Sequence, residues 1–363
     1  MTSSSANARD ADSNSTAEHR FPWKWYLSDL ANVPKNGMKV FSCFSCGGGS
    51  SMGYKLAGYD VIGNVEIDPR VMEVYRKNNH PKYPYLMDVR DFLKISDADL
   101  PEELFHLDIL DGSPPCSVFS TAGEREKGWN KEKVFREGQA KQKLDDLFFY
   151  FIQIAEKLKP RVVIAENVSG LLKGNAKGYV NEIFKTFDAA GYKTYLFLLN
   201  AAFMGVPQKR ERCFFIAHRK DLEFPKLSCS FNEKPILFGQ VRTEHGKPFA
   251  KNGIYKELLK YRIKTDKSIG DITKRVRGKE SGYNNTIWHD EDVGYTIVSS
   301  GCHFRMCDGL WLSDKDYANC QTFPQDYDFL DQSAQYICGM SVPPVMMAQV
   351  ASQVYRQWLI RCF

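Results

Sequence analysis

The sequence predicts a doubly wound α/β fold, an open and mostly parallel sheet, and three observations predict it. An apolar run from Met38 to Phe44 passes through the glycine-rich turn Ser45-Cys-Gly-Gly-Gly-Ser-Ser51 into a helical pattern at Met52, Leu56 and Ala57. Strand, glycine turn and helix open such sheets. Next, the apolar run from Asp60 to Ile67 carries Glu66 near its end, about 20 residues past the turn, where an acid can hold ribose hydroxyls. Last, apolar runs and helical periodicities keep alternating as far as His218.

The remaining elements follow in order. Asp68-Pro69 caps a helix expected to run to about Asn79, an acid N-cap followed by proline at the first helical position. A short run, Tyr83 to Met87, leads to Asp88, and Phe105 to Leu110 reads as the fourth strand, flanked by Asp108 and Asp111. Acids at successive strand ends would line the carboxyl edge, where these sheets bind ligands. Gly112-Ser113 ends the strand and Pro114-Pro115 stiffens the chain before Cys116. The charged stretch Gly123 to Lys143 reads as a mobile loop beside that cysteine. A helix is expected over Leu144 to Leu158, then strand Arg161 to Ala165 running into Glu166-Asn167-Val168. Helix Glu182 to Ala190, strand Tyr192 to Leu199, the segment Gln208-Lys-Arg-Glu-Arg212 and strand Cys213 to His218 complete the series. Periodicity returns in a last helix, Val345 to Leu359.

Composition bounds the function. The chain has 363 residues, 43% hydrophobic and 26% charged, which suits a soluble protein with one large and one smaller domain. No apolar run is long enough to span a membrane, and residues 1–20 lack the apolar core of a signal peptide and read as a disordered tail. Ten cysteines without a secretion signal read as reduced thiols. Cys43 with Cys46, and Cys302 with His303 and Cys307, lack a second spaced pair, so no metal is expected. The net charge of +5 is local: Arg219 to Leu310 holds 17 Lys/Arg against 12 Asp/Glu, and the rest of the chain balances. With Tyr255, Tyr261, Tyr283 and Trp288 interleaved, that segment suits either a solvated surface or a polyanion.

Cys116 alone reads as a nucleophile or as an inert buried thiol. Cysteine, glutamate and arginine beside an adenosine-type cofactor are more informative together. A thiolate adds to an electron-poor carbon, a carboxylic acid protonates a ring nitrogen and a guanidinium stabilises a carbonyl oxygen. Cytosine needs all three before its C5 attacks an electrophilic methyl group.

From Met38 to the end, the chain resembles the cytosine-C5 DNA methyltransferases, of a prokaryotic or phage type. The motifs stand in the family's order: Phe44-Ser-Cys-Gly-Gly-Gly49, Glu66, Asp88-Val89, Pro114-Pro-Cys116, Leu147-Phe-Phe149, Glu166-Asn-Val168, Gln208-Lys-Arg-Glu-Arg212, Gln321-Thr-Phe-Pro324 and Gly339-Met-Ser-Val342. The resemblance implies a Rossmann-like methyltransferase sheet and four regions: the tail, a catalytic domain at 21–218, a loop-rich target-recognition domain at 219–330, and a returning segment at 331–363.

It also implies S-adenosyl-L-methionine as methyl donor. Phe44, Cys46, Gly48 and Gly49 of the glycine turn would hold it, with Glu66 on the ribose, Ile67, Asp88 and Val89 at the adenine, and Ser113, Pro115, Leu147 and Ser341 completing the pocket. Cys116 would attack C6, Glu166 would act at N3 and Arg212 would contact O2. Asn167 would brace the cysteine loop, and Arg210 would organise the site and compensate nearby acids. The base must be flipped out of double-stranded DNA to be reached. Ser120, Thr296 and Arg305 are the expected DNA contacts, Arg305 as a base reader. A monomer in the cytoplasm at the nucleoid, with a restriction endonuclease acting separately, completes the implied picture.

Three residues depart from the family pattern. Cys46 stands at the first loop glycine, Ser117 where glutamine is common, and Met340 where asparagine is usual. A tRNA cytosine methyltransferase would carry Cys-Phe-Thr after the arginine motif, whereas this chain has Cys213-Phe-Phe. A non-catalytic DNA-binding module is the reading Met340 would favour. A dinucleotide oxidoreductase would have no use for Pro-Pro-Cys or Glu-Asn-Val.

Overall fold

The computed structural model describes residues 19–115, 146–172, 177–249, 253–279 and 285–362. Strands β1 (Lys39–Cys43), β2 (Asp60–Glu66) and β3 (Tyr83–Leu86) alternate with helices α1 (Gly49–Leu56), α2 (Pro69–Asn79) and α3 (Val89–Lys94). Then come β4 (Ile109–Gly112), α4 (Leu147–Leu158), β5 (Val162–Val168), α5 (Lys177–Ala189), β6 (Tyr192–Asn200) and β7 (Glu211–Arg219). They form one sheet in the order β3-β2-β1-β4-β5-β7-β6. Neighbours from β3 to β5 are parallel, and β7 runs antiparallel to both β5 and β6. The winding direction reverses between β1 and β4, so a crevice opens at their carboxyl ends, the place where such sheets bind ligands.

Side-chain alternation explains why both faces are covered. Val40, Ile109, Val162 and Phe214 face a core shared with α1 and α2, whereas their successors Phe41, Leu110, Val163 and Phe215 face α3, α4 and α5. Continuous apolar runs are what a sheet buried on both faces requires.

Several expectations need correction. Alternation breaks between β6 and β7, which are joined through the 3-10 turn Ala201–Phe203 and not by a helix. The run Phe105 to Leu110 splits, because Phe105 falls in the 3-10 turn Glu102–His106 and the strand starts at Ile109. Asp108 lies at the opposite end of β4 from the carboxyl edge. There its Oδ2 accepts the Lys39 N–H at 2.7 Å and its Oδ1 meets Arg161 at 2.7 Å. Asp111 is an interior residue of β4 and only 1% exposed. Glu166 and Arg212 also lie within strands, opposite Phe214 and Val168 respectively.

Beyond β7 come α6 (Phe238–Val241), α7 (Ile254–Leu259), α8 (Ile269–Arg277), β8 (Thr286–Trp288), β9 (His303–Arg305), α9 (Asp314–Cys320), α10 (Ala334–Met340) and α11 (Pro344–Gln357). Parallel β8 and β9 form a separate ribbon. Together with α7 and α8 they enclose a small core of Leu258, Leu259, Ile269, Ile272, Ile287 and Phe304. Trp288, Ile297, Leu312 and Tyr317 instead join the core of the large sheet. Among the described residues, no helix is long and apolar enough to cross a membrane.

Candidate active site

The turn after β1 is tightly coiled. Phe44 (φ 55°) and Cys46 (φ 47°) occupy the left-handed region along with Gly48 (φ 84°), a conformation that costs a residue with a Cβ about 1–2 kcal/mol. Glu66, at the end of β2, helps hold the turn. Its Oε2 accepts the Cys46 N–H at 2.9 Å, and its Oε1 accepts those of Ile67 and Asp68 at 2.9 and 3.0 Å. Burial raises the Glu66 carboxyl above its usual range, and these backbone donors oppose the rise.

Glu66 lines a cleft that opens among the strand ends. It collects nine of the twelve residues expected at the cofactor: Phe44, Cys46, Glu66 and Ile67 from the first two strand ends, Asp88 and Val89 from the third, Ser113 and Pro115 from β4, and Leu147 from α4. Asp88 also caps α3, its Oδ1 accepting the Arg90 N–H at 2.8 Å while Oδ2 pairs with the Arg90 guanidinium at 3.0 Å. Burial and Glu66 push the Cys46 thiol up to about 12, so it lines the cleft as a neutral group.

Gly48, Gly49 and Ser341 are not in the lining. A Cβ on Gly48 would lie 2.2 Å from Asn79 Nδ2, and one on Gly49 would lie 2.2 Å from the Val342 carbonyl oxygen. These glycines therefore admit the close approach of α2 and the returning chain. The Ser341 carbonyl is occupied by Arg210 and Gln321. Sequence reading gave no cleft role to Tyr336, which lines the cleft from α10 together with Met340, the motif departure noted above. Their four-residue spacing, one helical turn, was the available signal.

Next to the cleft, Arg212 Nε lies 2.8 Å from Glu166 Oε1, and the two side chains are 13% and 9% exposed. Burial lowers the proton affinity of Arg212 and Glu166 opposes this; a guanidinium stays charged in either case. Asn167 donates through Nδ2 to the Pro114 carbonyl at 3.0 Å, which ties the Glu166 strand to the segment leading into Cys116. Arg210 is buried and joins three chain segments, donating to the carbonyls of Ile297 at 2.9 Å, Gly339 at 2.9 Å and Ser341 at 3.0 Å. Burial, then the neighbouring Arg212, lower its proton affinity, and Glu166 offsets part of this. Gln208, which sequence reading left without a role, accepts the Ile297 N–H at 2.9 Å and donates to Gln321 Oε1 at 2.7 Å. Thr296 sits beside this network, its hydroxyl donating to the Lys209 carbonyl at 2.5 Å.

Arg305 is not a base reader. Its side chain is 0% exposed and lies 3.3 Å from Asp308 and 3.4 Å from Asp316. It also donates to the carbonyls of Thr243 and Glu244 at 3.0 and 3.1 Å, so it is a buried brace. Cys116, Ser117, Ser120, the loop Gly123 to Lys143 and most of the tail lie outside the described residues.

Comparison with known proteins identifies relatives of this chain. The family model for the C-5 cytosine-specific DNA methylases matches residues 38–356. The Type II methyltransferase M.Sau96I of Staphylococcus aureus is 36% identical over 346 residues, covering 88% of this chain and 76% of that protein. M.NgoPII of Neisseria gonorrhoeae, also a Type II methyltransferase, is 38% identical over 214 residues, which span 57% of this chain and 56% of that relative. Among solved structures, a protein described as a DNA modification methyltransferase encoded within a prophage of E. coli superposes with a TM-score of 0.63 at 19% identity, over 88% of this chain and 99% of the other. This chain belongs to the C-5 cytosine-specific DNA methylase family.

Proposed function

We propose that the chain transfers a methyl group from S-adenosyl-L-methionine to C5 of a cytosine flipped out of duplex DNA, within one short sequence. The observation that carries this reading is the Asn167–Pro114 hydrogen bond at 3.0 Å. It joins the strand bearing Glu166 to the segment that both lines the cleft, through Ser113 and Pro115, and continues into Cys116.

The cleft suits an adenosine-bearing donor. The Glu66 carboxylate spends three acceptor positions on backbone N–H groups, and a carboxylate has about four, so a ribose hydroxyl can still be bound. Phe44 and Ile67 offer apolar surface to a purine, with Asp88 and Val89 at its edge. The bound donor supplies an electrophilic methyl group.

The protein's part is to make cytosine C5 nucleophilic. The Cys116 thiolate forms a bond to C6 while Glu166 protonates or shares a proton with N3. Cytosine N3 and O2 are adjacent acceptors, and the Glu166–Arg212 pair offers a carboxyl and a guanidinium side by side to match them. After methylation, loss of the C5 proton to a base expels the thiolate and restores the ring.

Residues 219–330 are assigned to target recognition, with Thr296 at the DNA and the basic excess of Arg219 to Leu310 holding phosphates. The Type II methyltransferases among the relatives support a restriction-modification role; a separately acting endonuclease and a monomeric chain complete the assignment. Incubating the purified chain with methyl-labelled donor and mixed-sequence duplex DNA tests the reading. Label in 5-methylcytosine is expected; label confined to tRNA, or no transfer, contradicts it.

A further inference from the structure

Behind the Glu166–Arg212 pair lies a buried acid for which the reaction outlined above has no use. Asp111 in β4 is in register with Ser42 of β1 and Ile164 of β5, and Glu166 stands two residues beyond Ile164 toward the carboxyl edge. Side chains alternate along a strand, so Ser42, Asp111 and Glu166 share one face. The Ser42 hydroxyl donates to Asp111 Oδ2 at 2.7 Å, and the Tyr54 hydroxyl donates to Oδ1 at 3.2 Å. Tyr54 belongs to α1, the helix that follows the glycine turn, and Asp111 precedes Ser113 of the cleft by two residues. The Ser42–Asp111–Tyr54 contacts therefore span the switch point between the donor-binding half of the sheet and the strand that leads to Cys116.

We propose that Asp111 is a positioning residue for methyl transfer: with one carboxylate oxygen on Ser42 and the other on Tyr54, it ties β1 and α1 to the strand that leads to Cys116. The inference rests on the methyltransferase reading above. Among the described residues, Ser42 from β1 and Tyr54 from α1 bond to Asp111, and Cys43 from β1, Tyr75 from α2 and Glu166 from β5 are near enough to feel its charge. None is a cation, and Arg212 on β7 is engaged with Glu166. Burial pushes the Asp111 carboxyl up to about 7, the two hydroxyl donors oppose this, and Glu166 adds to it. Asp111 therefore ionises across neutral pH. The Ser42 and Tyr54 hydroxyls bond the ionised carboxylate more strongly than the protonated acid, so the tie between α1 and β4 tightens as Asp111 ionises. Turnover should rise as pH climbs through this titration.

The test is the pH profile of kcat, with the donor KM measured in parallel, for the wild-type chain, Asp111→Asn, Tyr54→Phe and Ser42→Ala. The wild type should show a limb near pH 7. Asp111→Asn should lose that limb and about tenfold in kcat above it, a loss in the range expected when reacting groups are misplaced, with little change in KM. Tyr54→Phe and Ser42→Ala each remove a donor to the ionised carboxylate, so their limbs should move to higher pH. These two keep the proposal testable if Asp111→Asn fails to fold. An unchanged limb in Asp111→Asn, or unmoved limbs in the other two, would overturn it. A wild-type chain without methyl transfer would instead remove the reading on which the inference rests.

Discussion

Arg212 Nε stands 2.8 Å from Glu166 Oε1, across antiparallel strands whose register sets Arg212 opposite Val168 and Glu166 opposite Phe214. The contact compensates the charge of Glu166, a residue 8% exposed, and it sets side by side the acid and the guanidinium that the proposed reaction assigns to N3 and O2 of cytosine.

Removing the guanidinium leaves that carboxylate buried without its partner. Arg212→Met should cost about 3 kcal/mol of stability and abolish measurable turnover. Arg212→Lys keeps a charge but not the planar fork, so it should recover most of the stability and little of the activity. Urea unfolding and steady-state rates on the same preparations separate the two effects.

Asn167→Ala breaks the tie to the Pro114 carbonyl. The loss is one buried hydrogen bond, about 1 kcal/mol, yet the segment set free leads to Cys116, the proposed nucleophile. The expected result is a drop in kcat of about tenfold or more with donor affinity nearly unchanged, read by single-turnover rates and donor titration.

Gly49→Ala would bring a Cβ to 2.2 Å from the Val342 carbonyl oxygen and 2.9 Å from Ser341 Cβ. Backbone cannot rotate away as a side chain can, so overpacking here should cost about 3 kcal/mol. It should also weaken donor binding by forcing the glycine turn off the returning segment. Thermal unfolding with and without donor would show a lower midpoint and a smaller stabilisation by ligand.

Arg305→Ala separates a structural from a sequence-reading role. With Asp308 and Asp316 left without their cation, stability should fall by about 3 kcal/mol or more. The methylated sequence should stay the same in whatever protein remains folded. A changed target sequence in a well-folded variant would restore Arg305 as a reader.

The sheet was legible because its runs are apolar enough to be buried on both faces, and because Glu66, Asp88 and Glu166 each follow or extend such a run. Most of the cleft lining was legible for the same reason, since strand ends converge wherever the winding reverses. The roles of Gly48 and Gly49 were not, because their packing partners Asn79 and Val342 are remote in sequence. Arg305 misled because a lysine- and arginine-rich stretch does not say which cation folds inward onto Asp316. The hairpin from β6 to β7 was hidden by periodicity alone, which reports that strands exist and not the direction in which they run.

The central claim is that the chain, using Cys116 as the C6 nucleophile, methylates cytosine C5 in a defined sequence of DNA. Bisulfite sequencing of genomic DNA from cells carrying this chain, set against cells carrying Cys116→Ser, tests it most directly. The account predicts near-complete protection of one cytosine in one short sequence, absent from the variant. Unprotected cytosines throughout, or protection that persists in Cys116→Ser, would contradict it.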